Sequence, residues 1–408
     1  MLLATGLNNR ELSVNELKRY RQRKRILRLL YKHNSLSAPQ ICKHINVSMP
    51  TVLVLLNDLI SSNYIVSKGV GESKGGRKPL IYGLAKDSIY VLVCDMGRYF
   101  TRMTVFNALN EQVTSLKRIE TSIDDPELVD KLYSNATEIL SEYKIPYSKI
   151  YGIGVDMPGL IDSEKGINYT VKDEAFQNIG ERIEKRFNKL VYIDNDARMQ
   201  AFGEYIFGKA KGKNDAIVIN WNWGIGLGMI LNGKIYKGTT GFAGEFSHLK
   251  MVDNGSLCIC GKTGCLETIA SANALLRYAI EGVENNVVTQ LKRDELAGVN
   301  KQAIYRIIEA AKKGDEFSIS ILSKVGMALG KGLSYIIQLL NPEVIVLSGS
   351  MAQANQFILT PIQQSLNKYC LEKISSNSEV VISELCEESG LLGVTATLYQ
   401  RIFSDMIT

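Results

Sequence analysis

No apolar run in the 408-residue sequence approaches the roughly 20 residues that a membrane-spanning helix needs, which excludes a chain built on such spans. The opening stretch MLLATGLNNRELSVNELKRY has only Leu2 to Ala4 as an apolar patch and no small-residue cleavage pattern, so no signal peptide is expected and the location expected is the cytoplasm. Acidic residues are scarce at one end. Residues 1–86 hold 4 Asp and Glu against 15 Lys and Arg, a net +11, while the rest holds 38 against 33 and nets −5. A basic head on an acidic body points to a polyanion met by the head alone. Cysteines are few and odd in number, at 42, 94, 258, 260, 265, 370 and 386, with three inside eight residues. Such a set favours metal ligation over a disulfide framework.

What is present is ordinary for a globular protein, 45% hydrophobic and 22% charged, in a chain long enough for two or three domains. In the head, Tyr20 to Lys32 places Ile26, Leu29, Leu30 and His33 at helical spacing opposite a basic face. Asn34 and Ser35 break that helix. Ser37 starts a second, with Ile41 and Ile45 inward; Asn46 and Val47 turn the chain, and Ser48 caps a third with Val52, Leu55, Leu56 and Leu59 as its inner stripe. Pro50 sits in the first turn, where its missing N–H costs nothing. Three short helices with a tight turn between the last two form a helix-turn-helix. Two β-rich runs, Tyr64 to Lys68 and Leu80 to Leu84, surround a loop holding Lys74, Arg77 and Lys78 and read as a wing. Ser48 and Thr51 are candidates to approach base edges, and Lys74, Arg77 and Lys78 to neutralise phosphates of duplex DNA.

From residue 87 onward, strand-like runs alternate with helical ones, among them IYVLVCDMG, TRMTVFNA, KIYGIGVDMPG, VYIDND, DAIVINWN and EVIVLSGS. This is an α/β pattern with ligand groups at strand ends. Asn195 and Asp196 follow one such strand, and an amide beside a carboxylate suits a pair of sugar hydroxyls as well as a helix cap. His248, Cys258, Cys260 and Cys265 supply one imidazole and three thiolates, a donor set suited to one tetrahedral, structural Zn(II) per chain with no open position for catalysis.

The chain resembles the ROK family of sugar kinases and sugar-responsive repressors through GRKP (76–79), DMG (95–97), GIGVDMPGLID (152–162), NDA (195–197), AGEFSH (243–248), CICGKTGCLE (258–267) and NPEVIVLSG (341–349). The resemblance implies an actin-like (ribonuclease H-like), two-lobed sugar-kinase fold preceded by an α+β winged helix-turn-helix domain. The expected domains are 1–86 for the head, 87–197 with 388–408 returning for a small lobe, and 198–387 for a large lobe with the zinc site. It carries the family's sugar ligands onto Asn195, Asp196, Glu245, His248 and Glu267, with a sugar or sugar phosphate as effector between the lobes. Ser247 departs from the glycine usual before the histidine. The kinase phosphate loops also differ. Arg98 and Tyr99 follow Asp95-Met96-Gly97 where kinases carry small residues, and Asn222-Trp223-Gly224-Ile225-Gly226 replaces GTGIG. Bulky residues where backbone N–H groups should cradle phosphates argue against ATP binding. Asp196, the general base in kinase relatives, would then only hydrogen-bond sugar, and no catalytic residue is assigned. The expectation is a non-catalytic regulator, a homodimer or homotetramer on an operator, acting as a repressor or, with opposite sign, an activator. The alternatives are a ROK sugar kinase with a DNA-binding appendage and a body that binds another protein.

Overall fold

The computed structural model describes residues 13–71, 78–97, 99–296 and 301–404. The chain divides into two compact units, Met1–Asp194 with Val394–Thr408, and Asn195–Gly393.

The first unit begins with helix α1 (Val14–His33), started by a capping box in which Ser13 and Glu16 bond each other's backbone N–H. Strand β1 (Leu36–Ser37), α2 (Ala38–Ile45) and α3 (Met49–Ser61) follow, and Asn46 closes α2 in the left-handed conformation that asparagine tolerates. Strands β2 (Ile65–Val70) and β3 (Leu80–Leu84) form the wing, and β1 adds to it in the order β1-β3-β2. Ile26, Leu27, Leu30, Ile41, Ile45, Val52, Leu55, Leu56 and Leu59 make the head's core. The expected inner stripe of α3 is therefore intact. The α1 stripe is corrected: Leu27 is buried, whereas His33 is exposed and stacks on His44 at 5.3 Å. An imidazole at the last turn has water within reach, and the buried place goes to leucine.

The same unit continues with β4 (Tyr90–Met96), β5 (Phe100–Asn107), β6 (Lys117–Glu120), α4 (Leu128–Glu142), β7 (Ile150–Met157), the small hairpin β8 (Ile161–Asp162) and β9 (Ile167–Asn168), α5 (Glu174–Gln177), α6 (Ile179–Phe187) and β10 (Leu190–Asn195). The sheet order is β10-β7-β4-β5-β6, with β4–β5 and β5–β6 antiparallel and β4–β7 parallel. Leu132 and Ile139 of α4 and Ile183 and Phe187 of α6 cover one face.

The second unit runs through α7 (Asp196–Phe207), β11 (Ala216–Trp221), β12 (Ile225–Leu231), β13 (Lys234–Ile235), α8 (Glu267–Ala270), α9 (Ala272–Glu284), α10 (Lys301–Lys312), α11 (Glu316–Leu340), β14 (Val344–Ser348), α12 (Gln356–Tyr369), α13 (Glu372–Ser375) and β15 (Glu379–Ile382). Its sheet, β13-β12-β11-β14-β15, repeats the plan of the first: two antiparallel neighbours on one side of the central strand and parallel pairing on the other. Strands β11 and β14 are buried along their whole length, which is why they read as continuous apolar runs.

The last helix, α14 (Glu388–Ile402), starts in the second unit and ends in the first. At its start, a Cβ on Gly393 would fall 1.9 Å from the Met199 carbonyl oxygen and one on Gly203 1.9 Å from that of Ser389, so α7 and α14 touch backbone to backbone. Further on, Val394 and Leu398 fill the space over Gly154 and Gly152 of β7. Tyr399 is fully buried, its hydroxyl donating to the carbonyls of Ile89 and Phe106. Its ring meets Tyr31 of α1 at 5.3 Å, and Phe403 meets the same tyrosine at 5.8 Å. Tyr31 also donates to Asn110 at 2.6 Å, and the Tyr64 and Tyr151 hydroxyls share a 2.6 Å hydrogen bond. The head is thus docked on the first sheet's hairpin and the end of α14.

Candidate functional site

Helix α7 starts where β10 ends, and Asn195 is its N-cap, accepting from the Arg198 N–H at 3.2 Å. The Asp196 carboxylate accepts from Asn220 at 3.2 Å. Asn222 donates to Asn220 at 2.6 Å and accepts from the Ser350 N–H at 2.7 Å. An amide chain therefore runs from Asp196 across the ends of β11 and β14. Sequence reasoning does not single out Asn220, and it names Asn222 only as part of the loop that replaces GTGIG. Their polar character at the close of the apolar run AIVINWN was the available signal.

The segment after β13 brings the acidic residues together. Glu245 precedes a short turn, Phe246–His248, and its carboxylate lies 3.7 Å from His248 Nε2. Burial raises the Glu245 carboxyl above the usual carboxylate range, with His248 and Arg198 opposing and Glu267 reinforcing the shift. Arg198 is buried and donates to the Gly241 carbonyl. Glu267 starts α8 and reaches the loop after β11, where a Cβ on Gly224 would stand 3.0 Å from its Oε2. Glu245 thus stands within electrostatic reach of His248, Arg198 and Glu267, and the Asp196 network begins two residues before that arginine. Ser247 fits without disturbance, buried in the short turn.

The other ring nitrogen of His248 faces the cysteines. His248 Nδ1 lies 3.5 Å from Cys258 Sγ, Cys260 Sγ lies 3.7 Å from Cys265 Sγ, and the four ligand atoms all fall within 4.8 Å of one another. This cluster can hold a metal ion. Bridges pairing Lys250 with Cys265 and Leu257 with Thr263 fold the loop back on itself. Gly264, at φ +77°, is essential to that fold, since a Cβ there would fall 1.9 Å from the Val252 carbonyl oxygen. Burial pushes the Cys265 thiol up to about 12, with Cys260 and Cys258 adding to the shift, while a backbone N–H from Lys262 lowers Cys260. A cation among them removes that penalty.

In the head, Ser48 and Thr51 are exposed at the start of α3. The Ser48 hydroxyl bonds Thr51 Oγ1 at 2.9 Å and makes no bond to the helix backbone, which corrects its reading as a side-chain cap. Lys78 is exposed on the wing; Lys74 and Arg77, and Arg98 in the body, lie outside the described residues. Asp95 is paired with Arg102, which donates from Nε at 2.7 Å. Tyr99 is exposed, whereas Trp223 packs partly against the second unit's core. Among the described residues, no helix is long and apolar enough to cross a membrane.

The ROK family pattern matches residues 91–401, and a winged helix-turn-helix DNA-binding pattern matches 21–66. The chain is 28% identical over 390 residues to the xylose repressor of Caldicellulosiruptor bescii, covering 94% of this chain and 95% of that protein. It is 28% identical over 369 residues to the DNA-binding transcriptional dual regulator NagC of Escherichia coli, covering 90% and 89%. Among solved structures, a ROK family transcriptional regulator, a homologue of the E. coli MLC protein, superposes with a TM-score of 0.78 at 23% identity, over 94% of this chain and 98% of that one. A ROK family glucokinase from Streptomyces griseus, solved with glucose and AMPPNP, superposes with 0.65 at 24% identity over 76% of this chain and 98% of its own. Two sheets of ribonuclease H-like plan, the actin-like fold of these neighbours and the winged head all agree: this chain belongs to the ROK family.

Proposed function

We propose that the protein is a sugar-responsive DNA-binding transcriptional regulator, a repressor released from its operator by a sugar held at Asn195, Asp196, Glu245, His248 and Glu267. The observation that carries this reading is the extent of the matches. Proteins named as a repressor and as a DNA-binding transcriptional dual regulator are matched over 90% or more of this chain, whereas the glucokinase matches 76%. The basic head supplies the polyanion contact, with Ser48 and Thr51 at the bases and Lys74, Arg77 and Lys78 at phosphates.

In the body, Asp196 and Glu267 accept from sugar hydroxyls, and the Asn195 amide can both donate and accept. The gathering of carboxylates disfavours a phosphate deep among them and favours an unphosphorylated sugar. Arg198, a possible phosphate partner, is already engaged with the Gly241 carbonyl and adjoins Glu245. The kinase alternative is disfavoured by the loops. Asp95 is engaged by Arg102, and Trp223 supplies no hydroxyl where kinases have one. The contribution of Trp223 is this missing hydroxyl and not a plug, since its ring turns partly to the core.

The ion is Zn(II). Zn–S bonds of about 2.3 Å and Zn–N of about 2.0–2.1 Å in a tetrahedron set ligand atoms roughly 3.5–3.8 Å apart, which matches the His248–Cys258 and Cys260–Cys265 separations. With four protein ligands it staples the loop, and Glu245 orients His248 from its other nitrogen. The expected domains are 1–86, 87–197 with the C-terminal return, and 198–387, and the expected assembly is a homodimer or homotetramer. The test is fluorescence anisotropy of the full chain on DNA, titrated with free and phosphorylated hexoses, pentoses and N-acetylated sugars. Release by one sugar class supports the proposal; sugar-dependent ATP consumption at about 1 per second or faster restores the kinase.

A further inference from the structure

Helix α3 carries no lysine or arginine, and its one acidic side chain, Asp58, is paired with Arg23 of α1. Directly opposite its buried stripe runs a line of exposed residues at spacings of four, three and four: Pro50, Val54, Asn57 and Ser61. Thr51 and Leu53 flank it. Val54 and Leu53 stand 51% and 42% exposed, although leucine and valine normally go to the interior. Among the described residues, the head's basic side chains lie elsewhere, on α1, at Lys43 of α2, on the wing and at Lys86.

In a helix-turn-helix, the second helix of the motif enters the major groove with its N-terminal residues at the base edges. Guanine is read there chiefly by arginine or lysine, and cytosine by a free carboxylate. α3 offers neither. Thymine presents a C5-methyl group to apolar side chains, and adenine pairs its N6 and N7 with an asparagine amide. Val54, Leu53, the Pro50 ring and the Thr51 methyl supply the first contact, and Asn57 the second. The Ser48 and Thr51 hydroxyls bond any base and do not discriminate.

We infer that α3 reads an A·T-rich half-site, with Val54 and Leu53 packed on thymine methyl groups and Asn57 on adenine. This rests on the DNA-binding reading proposed above. The test begins by selecting duplexes from a random library with the full chain at low salt, then replaces every thymine of the enriched half-site by deoxyuridine, which removes only the methyl groups. The expected half-site is dominated by A·T pairs, with affinity falling about fourfold for each contacted methyl lost. Val54→Ala, at an exposed position, should bind the thymine duplex more weakly and lose most of its sensitivity to deoxyuridine; Leu53→Ala is the second variant and should show the same coupling. Asn57→Ala should relax the preference for adenine by roughly fivefold or more. A G·C-dominated half-site, or equal affinity for thymine and deoxyuridine duplexes, overturns the inference while leaving DNA binding intact. Failure to bind any duplex overturns both readings.

Discussion

Single residues divide here into those that hold the fold and those that meet a ligand. Cys260 is the exposed member of the His248–Cys258–Cys260–Cys265 cluster, so Cys260→Ser perturbs little packing of its own. It should nevertheless lower metal content and stability together, because the binding energy of a closed site is folding energy. Atomic absorption on wild type and variant, beside thermal melts, checks this; folded wild-type protein without zinc would contradict it. The pH dependence has a definite sign. The ligands bind as thiolates, and burial raises the Cys258 and Cys265 thiols, so protons compete more strongly with the metal than at a free cysteine and metal is lost as pH falls. Gly203 tests a different kind of residue. Gly203→Ala forces α7 and α14 apart against the Ser389 carbonyl and should destabilise by at least about 1–3 kcal/mol in denaturant titrations.

Among the elements, the docked head is the feature that residue patterns conveyed least. The helices of the head were legible because Val52, Leu55, Leu56 and Leu59 repeat at helical period, and the central strands because β4, β7, β11 and β14 are apolar along most of their length, with Asp95, Asp156 and Asn220 near the strand ends. The compact ligand spacing of the metal loop was legible for the same local reason. Strands β12, β13 and β15 were not. Gly226 and Gly228 interrupt β12, the pairing of β13 covers only two residues, and β15 is half exposed. Nor does any local signal tell that Tyr31, in the basic face of α1, meets Tyr399 and Phe403 at the far end of the chain. That contact is a long-range event, and only the fold supplies it. Tyr31→Ala should loosen the head from the first sheet without unfolding the body. Hydrogen exchange should accelerate in α1 while β4 and β7 stay protected; unchanged protection of α1 would show that other contacts suffice.

At the scale of the whole molecule, function depends on one chain carrying two chemistries. The +11 head should give DNA binding that weakens steeply with salt, and replacing Lys74, Arg77 and Lys78 by alanine should weaken binding to all sequences and flatten that slope. The carboxylate cluster should bind sugar without turning over ATP. Removing a charged hydrogen-bond acceptor costs about 1.5–3 kcal/mol, so Asp196→Ala should weaken sugar binding more than tenfold while leaving DNA affinity alone. For the sugar to act on DNA at all, it must prefer the conformation that binds DNA less well. Helix α14 packs on α7 at its start and meets Tyr31 of α1 near its end. The most direct test is therefore a paired titration of wild type and Asp196→Ala on a selected duplex with the best sugar, followed by ATP in the same sample. The account predicts that sugar releases DNA from the wild type, that the variant holds DNA and ignores the same sugar concentration, and that ATP is not consumed. DNA affinity unmoved by any sugar, or steady sugar-dependent ATP hydrolysis by the wild type, would contradict it.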